Sequence, residues 1–319
     1  MSATVRATLA LLFLLSAGPA GAQALAANEL GRVMILEYHK VDVPEERWTR
    51  TPANFRRDLE TLYAKGYRLV GLNDLIDGRI AVPAGTTPVV LTFDDSSPGQ
   101  FRYVEQDGRP VIDPDCAVGI LEAFADAHPD FGQTATFFVL PGASKPNRLF
   151  NQPEYEAQKL QYLVSHGFEI GNHTLWHANL GLYPEPVVRD QIARAEVWIH
   201  RYVPQYRIRT LALPHGVYPK QVTWALQGTS GGTRYEYDAI LKVAGGPAPS
   251  PFAQSFDATR LPRIQAIEPE LKYWLRHFDQ NPGERFVSDG DAATVTIPRG
   301  GRGRLRATLP GGVRVIERE

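Results

Sequence analysis

Val89-Val90-Leu91-Thr92-Phe93-Asp94-Asp95-Ser96 is the stretch on which the reading of this chain turns. Three aliphatic residues behind Pro88 read as a buried strand, and Ser96-Ser97-Pro98-Gly99 reads as the turn that ends it. The strand therefore delivers two adjacent carboxylates to its C-terminal end. Successive side chains on a strand point to opposite faces, so Asp94 and Asp95 do different jobs if the strand ends between them and the chain turns. One can then bind a metal while the other stays free as a base. Taken alone, an Asp pair also fits Asx turns or a helix cap, and the deciding residues lie far downstream.

Around this strand, apolar runs and helical periodicities alternate. Val33 to Leu36 reads as a strand that hands Glu37-Tyr38-His39-Lys40 to its C-terminal end. Phe55, Leu59, Leu62 and Tyr63 recur at helical spacing between a Thr51-Pro52 start and a Lys65-Gly66 stop. Tyr67 to Leu72 reads as a strand and Asn73 to Gly78 as a short helix. Ser97 to Asp115 reads as a long loop of the kind that forms a lid or binding loop. Further strands are expected at 135–140, 168–171, 209–213, 239–244 and 261–267. Helical faces fall at Val118/Leu121/Phe124/Ala125, at Leu160/Leu163/Val164 and at Val188/Ile192/Ala195/Ile199/Tyr202.

This alternation implies an α/β fold whose parallel strands, about seven or eight of them, close into a barrel. From about Phe286 the pattern becomes alternating over 293–297, 302–309 and 313–316, which reads as a short C-terminal β appendage of two or three strands.

Met1 to Ala24 departs from the rest: Arg6, an apolar stretch from Ala7 to Ala17, and small-residue cleavage sites at Ala20-Gly21-Ala22 or Ala22-Gln23-Ala24 read as a secretory signal peptide. Its apolar core is short of the ~20 residues a membrane-spanning helix needs. The domain division is thus 1–24 signal peptide, 25–285 barrel domain and 286–319 β-rich extension, with a secreted or periplasmic location. A net charge of −1 gives no electrostatic reason to expect nucleic acid or an anionic membrane as partner. Cys116 is the only cysteine, so no intrachain disulfide forms and the core must stabilise the fold.

His173 and His177 follow another strand end. If Thr174 starts a helical turn, the two imidazoles share a face and can share an ion. Both histidines and the Asp pair then sit at the C-terminal rim of a parallel barrel, where such folds assemble active sites. One Asp and two His leave a coordination position open for water, which is the catalytic arrangement. The metal lowers the pKa of that water, and the carboxylate kept off the metal accepts its proton.

Thr92-Phe93-Asp94-Asp95, Ala135-Thr136-Phe137-Phe138-Val139, and Glu169-Ile170-Gly171-Asn172-His173-Thr174-Leu175-Trp176-His177 together resemble the polysaccharide deacetylases of carbohydrate esterase family four, the NodB homology domain. The resemblance runs from about Ile35 to Ile267. It implies a distorted (β/α) barrel, a divalent metal that is usually zinc, and removal of an acetyl group from an N-acetylated sugar. It also implies Asp94 as catalytic base, Asp95, His173 and His177 as metal ligands, and Thr174 as the hydroxyl that buttresses the histidine loop.

The family's third motif, Arg-x-Pro-Tyr-Gly, is here Ala212-Leu213-Pro214-His215-Gly216, so the Arg that holds the base is missing from its usual place. Arg263, or else Arg260, is expected to reach that carboxylate from the last barrel strand. The last family motif, Leu-x-x-His, has no counterpart near Leu261 to Ile267, so His215 or His39 is expected to serve as general acid. Glycine is usual where Ser96 stands, and a serine there is expected to crowd the turn. Tyr38, Trp176 and Tyr218 are candidate sugar-stacking residues.

The sequence reading is an exported, metal-dependent carbohydrate deacetylase acting on N-acetyl or O-acetyl groups of a polysaccharide or cell-wall glycan. The competing reading is a catalytically impaired carbohydrate-binding protein on the same fold. Oligomeric state is not legible.

Overall fold

The structure is a computed structural model that describes residues 25–318; the expected signal peptide lies outside the described residues. Eight strands form one parallel sheet: β1 (Met34–Tyr38), β2 (Tyr67–Leu69), β3 (Thr87–Phe93), β4 (Thr136–Val139), β5 (Glu169–Asn172), β6 (Thr210–Ala212), β7 (Ala239–Leu241) and β8 (Ile264–Gln265). Their order is β7-β6-β5-β4-β3-β1-β8, with β2 paired to β3. A parallel bridge from Leu241 to Leu261, just ahead of β8, joins the two ends. Gly246 N–H donates to the Arg263 carbonyl at 3.2 Å beside it. The result is a distorted (β/α) barrel.

The distortion has a local cause. β3 pairs with β1 along five residues on one side, while β2 takes Thr87 to Val89 and β4 takes Thr92 and Phe93 on the other. The middle strand therefore changes partner halfway along. Helices α1 (Pro52–Ala64), α2 (Leu72–Asp77), α3 (Ala117–Ala127), α4 (Glu156–Ser165), α5 (Glu185–Tyr202) and α6 (Val222–Leu226) lie between the strands in sequence, and α7 (Glu268–Gln280) follows β8. α1 starts as expected, with Thr51 Oγ1 accepting from Asn54 N–H at 3.2 Å and Pro52 in the first turn.

Strand parity sorts the core into two layers. Met34, Leu36 and Tyr38 of β1, with Val89, Leu91 and Phe93 of β3, join the helices in one apolar cluster. Ile35, Val90 and Phe138 belong to a second cluster with Val33, Ala212, Leu241 and Leu261. Two residues further along β1 and β3, the second face carries Glu37, Thr92 and Asp94, all buried. One barrel face is thus apolar at its base and polar towards its C-terminal end, because the period-two pattern runs past the aliphatic stretch into acids.

The expected appendage is a parallel pair, Thr294–Ile297 with Arg314–Glu317. Residues Gly301–Arg304, which overlap the start of the 302–309 stretch expected to alternate as a third strand, form a 3-10 turn instead. The pair packs back on the barrel through Phe286, Val295 and Ile297, which share the cluster of Leu30 and Ile35. Thr296 N–H donates to the buried Glu29 carboxylate at 2.7 Å.

The Ser97 to Asp115 segment is not structureless: Tyr103–Gln106 and Arg109–Ile112 form an antiparallel hairpin around Asp107-Gly108, both at positive φ. A second unexpected hairpin, Gln227–Ser230 with Thr233–Glu236, turns at Gly231-Gly232. Asp-Gly and Gly-Gly are two-residue hairpin signals. Cys116 is buried.

Lys159 of α4 is fully buried, its Nζ donating to Gln152 Oε1 at 2.7 Å among the rings of Phe101, Tyr103 and Phe150. Burial pushes its ammonium down to about 7. The unfolded chain keeps that proton up to about pH 10.4. Between these values the unfolded state binds more protons, so this group makes stability rise with pH. Lys159→Met is expected to melt higher than wild type at pH 7, with the gap narrowing towards pH 10. A gap that is constant or widens in calorimetric melts would count against the assignment.

Candidate active site

Arg263 lies against Asp94. Its Nη1 donates to Oδ1 at 2.7 Å and its Nη2 to Oδ2 at 2.6 Å, a two-pronged contact with both partners buried. The remaining donors are also used: Nη2 to Glu37 Oε1 at 2.8 Å, Nη1 to Thr92 Oγ1 at 3.1 Å, and Nε to the Lys242 carbonyl at 2.7 Å. Arg260, the other expected candidate, is exposed beside Asp257 and Tyr218 instead. Arg263 reaches Asp94 because it immediately precedes β8, which pairs with β1 next to β3.

Burial alone would raise the Asp94 carboxyl, but the Arg263 charge, with His173 behind it, holds it below the usual carboxylate range. Asp94 is therefore an anion with a fixed orientation. Glu37 is the reverse case: burial lifts it well above its ordinary value despite Arg263, and the Asp94 charge adds to the lift. One guanidinium thus faces one committed carboxylate and one carboxyl that favours its protonated form.

Asp95 turns away from this pair. Asp94 still donates its N–H to the Tyr38 carbonyl at 2.9 Å, as a strand residue does, whereas Asp95 and Ser96 adopt φ of 76° and 44°. The strand ends between the two acids. Gln100 Nε2 donates to the carbonyls of both Asp94 and His39, fastening two strand ends together.

Asp95 Oδ1 lies 3.4 Å from His173 Nε2 and 3.4 Å from His177 Nε2. Ligand atoms of all three residues fall within 4.8 Å of one another. The histidines are not held by a helical turn, as the spacing suggested. Thr174 and His177 have φ of 69° and 66°, and side-chain bonds replace the helical ones: Thr174 N–H donates to Asn172 Oδ1 at 2.7 Å, and Ala178 N–H to Thr174 Oγ1 at 3.2 Å.

His173 Nδ1 faces the Ala212 carbonyl at 2.9 Å. A carbonyl only accepts, so Nδ1 carries a proton; burial would lower this imidazole, but the Asp94 and Asp95 carboxylates hold it above its ordinary value, and Nε2 is the nitrogen that faces the trio. Asp95 Oδ1 is buried and has no hydrogen-bond partner among the described residues. An orphaned carboxylate oxygen between two imidazole nitrogens fits a divalent cation. Burial, then the neighbouring His173, pushes His177 down to about 4. Its imidazole is neutral, as a ligand must be.

The trio and Asp94 open into a cleft of about 330 Å³ whose other walls include His39, Lys40, Trp48, Asn147, His215 and Val243. His215, at φ 58° in the Pro214–Gly216 turn, stacks edge-on against His177 with centroids 4.4 Å apart. His39 packs on Trp48 at 4.6 Å. Both histidines expected as proton donors thus face the cleft.

Of the expected stacking residues, Trp176 is exposed, whereas Tyr38 is buried against Phe55 and Phe93 and donates to Asp58 at 3.2 Å. Tyr218 is half-buried, with its hydroxyl on the Thr259 carbonyl at 2.9 Å. The sequence gives no role to Glu37, Trp48 and Asn147; Glu37 alone leaves a trace there, as an acid at the end of the first apolar run.

Replacing Arg263 should expose how much the barrel depends on it. Arg263→Met leaves Asp94 buried without a counter-charge, a change expected to cost about 3–5 kcal/mol in urea unfolding. Arg263→Lys, which keeps the charge and loses the fork, is expected to lose part of that. Equal stability of Met variant and wild type would contradict the electrostatic account.

A segment of the sequence and the fold resemble known proteins. Residues 81–230 match the family model described as polysaccharide deacetylase. A chitooligosaccharide deacetylase of Bradyrhizobium sp. is 27% identical over 139 residues, 44% of this chain and 51% of that protein. The chain thus spans about half the length of the curated relatives it matches. Among solved structures, the Streptococcus pyogenes deacetylase PplD in complex with acetate superposes with a TM-score of 0.56 at 18% identity, covering 77% of this chain and 97% of that one. IcaB from Ammonifex degensii superposes at 0.53 and 18% identity, covering 76% and 97%. In residues 81–230 the chain resembles the polysaccharide deacetylase family, and its barrel is the fold of the solved deacetylases it superposes on.

Proposed function

We propose that the protein is an exported, metal-dependent deacetylase that removes N-acetyl or O-acetyl groups from a polysaccharide or cell-wall glycan. One observation carries this reading: a carboxylate fixed and ionised by Arg263 shares a cleft with an Asp-His-His trio whose carboxylate oxygen lacks a partner. In this proposal Asp95, His173 and His177 hold a divalent metal, zinc before others given two imidazoles and one carboxylate. Such a metal, when bound, polarises a carbonyl and lowers the pKa of water.

The chain's own groups divide the remaining work. Asp94 takes up a proton from water at its carboxylate, and Arg263 keeps that carboxylate aimed, and ionised until the proton arrives. A backbone N–H of the Pro214–Gly216 turn stabilises the oxyanion on the acyl carbon. His215 returns a proton to the departing amine, with His39 as the competing donor. Residues 25–285 form the catalytic unit, 286–319 an extension that closes its base, and 1–24 the export signal. Among the described residues no helix is long and apolar enough to cross a membrane.

The impaired-binder reading rests on two absences, the third-motif Arg and the last-motif His, the second of which stands until a histidine donor is identified. Arg263 supplies a guanidinium to the same carboxylate, which removes the first ground.

Calorimetric titration with zinc is expected to show one tight site in wild type and in Asp94→Asn, and none in Asp95→Ala. Acetate release from N-acetylglucosamine oligomers is expected from wild type, with Asp94→Asn down by about 10²-fold or more. Bound zinc with no acetate released from any acetylated glycan would overturn the enzyme reading. Between the two histidines, the one whose Ala variant lowers kcat more is the donor; His215→Ala is expected to do so.

A further inference from the structure

Ser96 does more than tolerate the place where glycine is usual. It is buried at φ 44°, its Oγ donates to the Asn147 carbonyl at 2.8 Å and accepts from Leu140 N–H at 3.0 Å, and its own carbonyl accepts from Phe150 N–H at 2.8 Å. These three bonds fasten both ends of the 141–149 segment to the turn that carries the acids. Two of them need the hydroxyl, so glycine would keep one.

The segment needs fastening. Leu149, Phe150 and Asn151 adopt φ of 39°, 65° and 53° in succession. Consecutive side-chain-bearing residues in the left-handed region are costly and persist only where the surroundings over-determine them. Leu149 and Phe150 are buried, and Ser96 holds the backbone on either side.

What this segment presents to the cleft is Asn147. Among the described residues its carboxamide makes no hydrogen bond, and its Oδ1 is buried without a partner. An amide oxygen left without a partner costs free energy, and the residue is half-buried on the cleft wall, where its carboxamide can meet what enters. A carboxamide both donates and accepts, as a sugar hydroxyl does.

We propose that Asn147 is a specificity-determining residue that hydrogen-bonds a hydroxyl of the sugar ring bearing the acyl group, and that Ser96 is the positioning residue that holds it there. The inference rests on the glycan-deacetylase reading above. Asn147 and Ser96 act as a unit, because the backbone that carries the amide hangs from the Ser96 hydroxyl.

The test is a binding measurement that runs without turnover. The N-acetylglucosamine tetramer is titrated into zinc-loaded Asp94→Asn protein by calorimetry, with and without Asn147→Ala. Losing one hydrogen bond is expected to raise Kd about 3- to 10-fold, and Asn147→Gln to recover part of it. Ser96→Ala is expected to weaken binding similarly, with the double variant no weaker than the weaker single. In the active protein the loss is expected mainly in KM rather than kcat.

Equal Kd with and without Asn147→Ala, no tetramer binding at all, or additive losses in the double variant would overturn the proposal; the first is the outcome if water alone satisfies the amide. Should Ser96→Ala fail to fold, Asn147→Ala decides. Absence of acetate from wild type defeats the deacetylase reading instead, and the Kd comparison still decides whether Asn147 contacts the sugar.

Discussion

A buried guanidinium clamped on a buried carboxylate is the interaction around which this barrel is arranged. Taking either ion out of water costs several kcal/mol, and their attraction offsets this only with good geometry and every donor used. Arg263 meets both conditions: two bonds to Asp94, one each to Glu37, Thr92 and the Lys242 carbonyl. Phe138 lies under the guanidinium, 5.6 Å from ring centroid to its central carbon. The partners sit on β1, on β3 and beside β7, so a single side chain ties the strands on either side of the barrel's closing seam.

Separation of the two acids follows from the clamp and the turn together. Asp94, still in strand geometry, is directed onto the inner face and taken by Arg263. Asp95, one residue later and at positive φ, is released towards His173 and His177. Had the strand continued, parity would have sent Asp95 to the helix-packed face with Leu91 and Phe93. Asp tolerates the left-handed region better than most residues. The Ser96 hydroxyl then stitches the turn to the neighbouring loop.

Much of this was legible in the sequence because it follows from local pattern. Aliphatic runs ending in polar residues marked the barrel strands, and the Asp pair, the histidine pair and Arg263 all lie at or near ends of such runs. The misreadings came from side chains competing with backbone. His173 and His177 have helical spacing, yet Asn172 and Thr174 supply the acceptors that a helix would take from its own carbonyls. The Arg302 to Leu309 alternation looked like a strand, but Gly301 to Arg304 curls into a 3-10 turn. Trp48 and Asn147 belong to connecting loops without periodicity, and only the closed barrel brings them to the cleft. Tyr38 fails as a stacking residue by parity: the face it shares with Met34 and Leu36 is the helix-packed one.

The chain places Arg263 169 residues after its carboxylate partner. Synthesis from the N-terminus therefore makes β1, β3 and both acids long before the guanidinium exists. A nascent chain that has produced everything through β7 still has an unbalanced Asp94 and an open seam, so burying that end of the barrel is unfavourable until residue 263 arrives. The counter-ion comes last, and the closing of the barrel and the completion of its charged interior are one event in the life of each molecule.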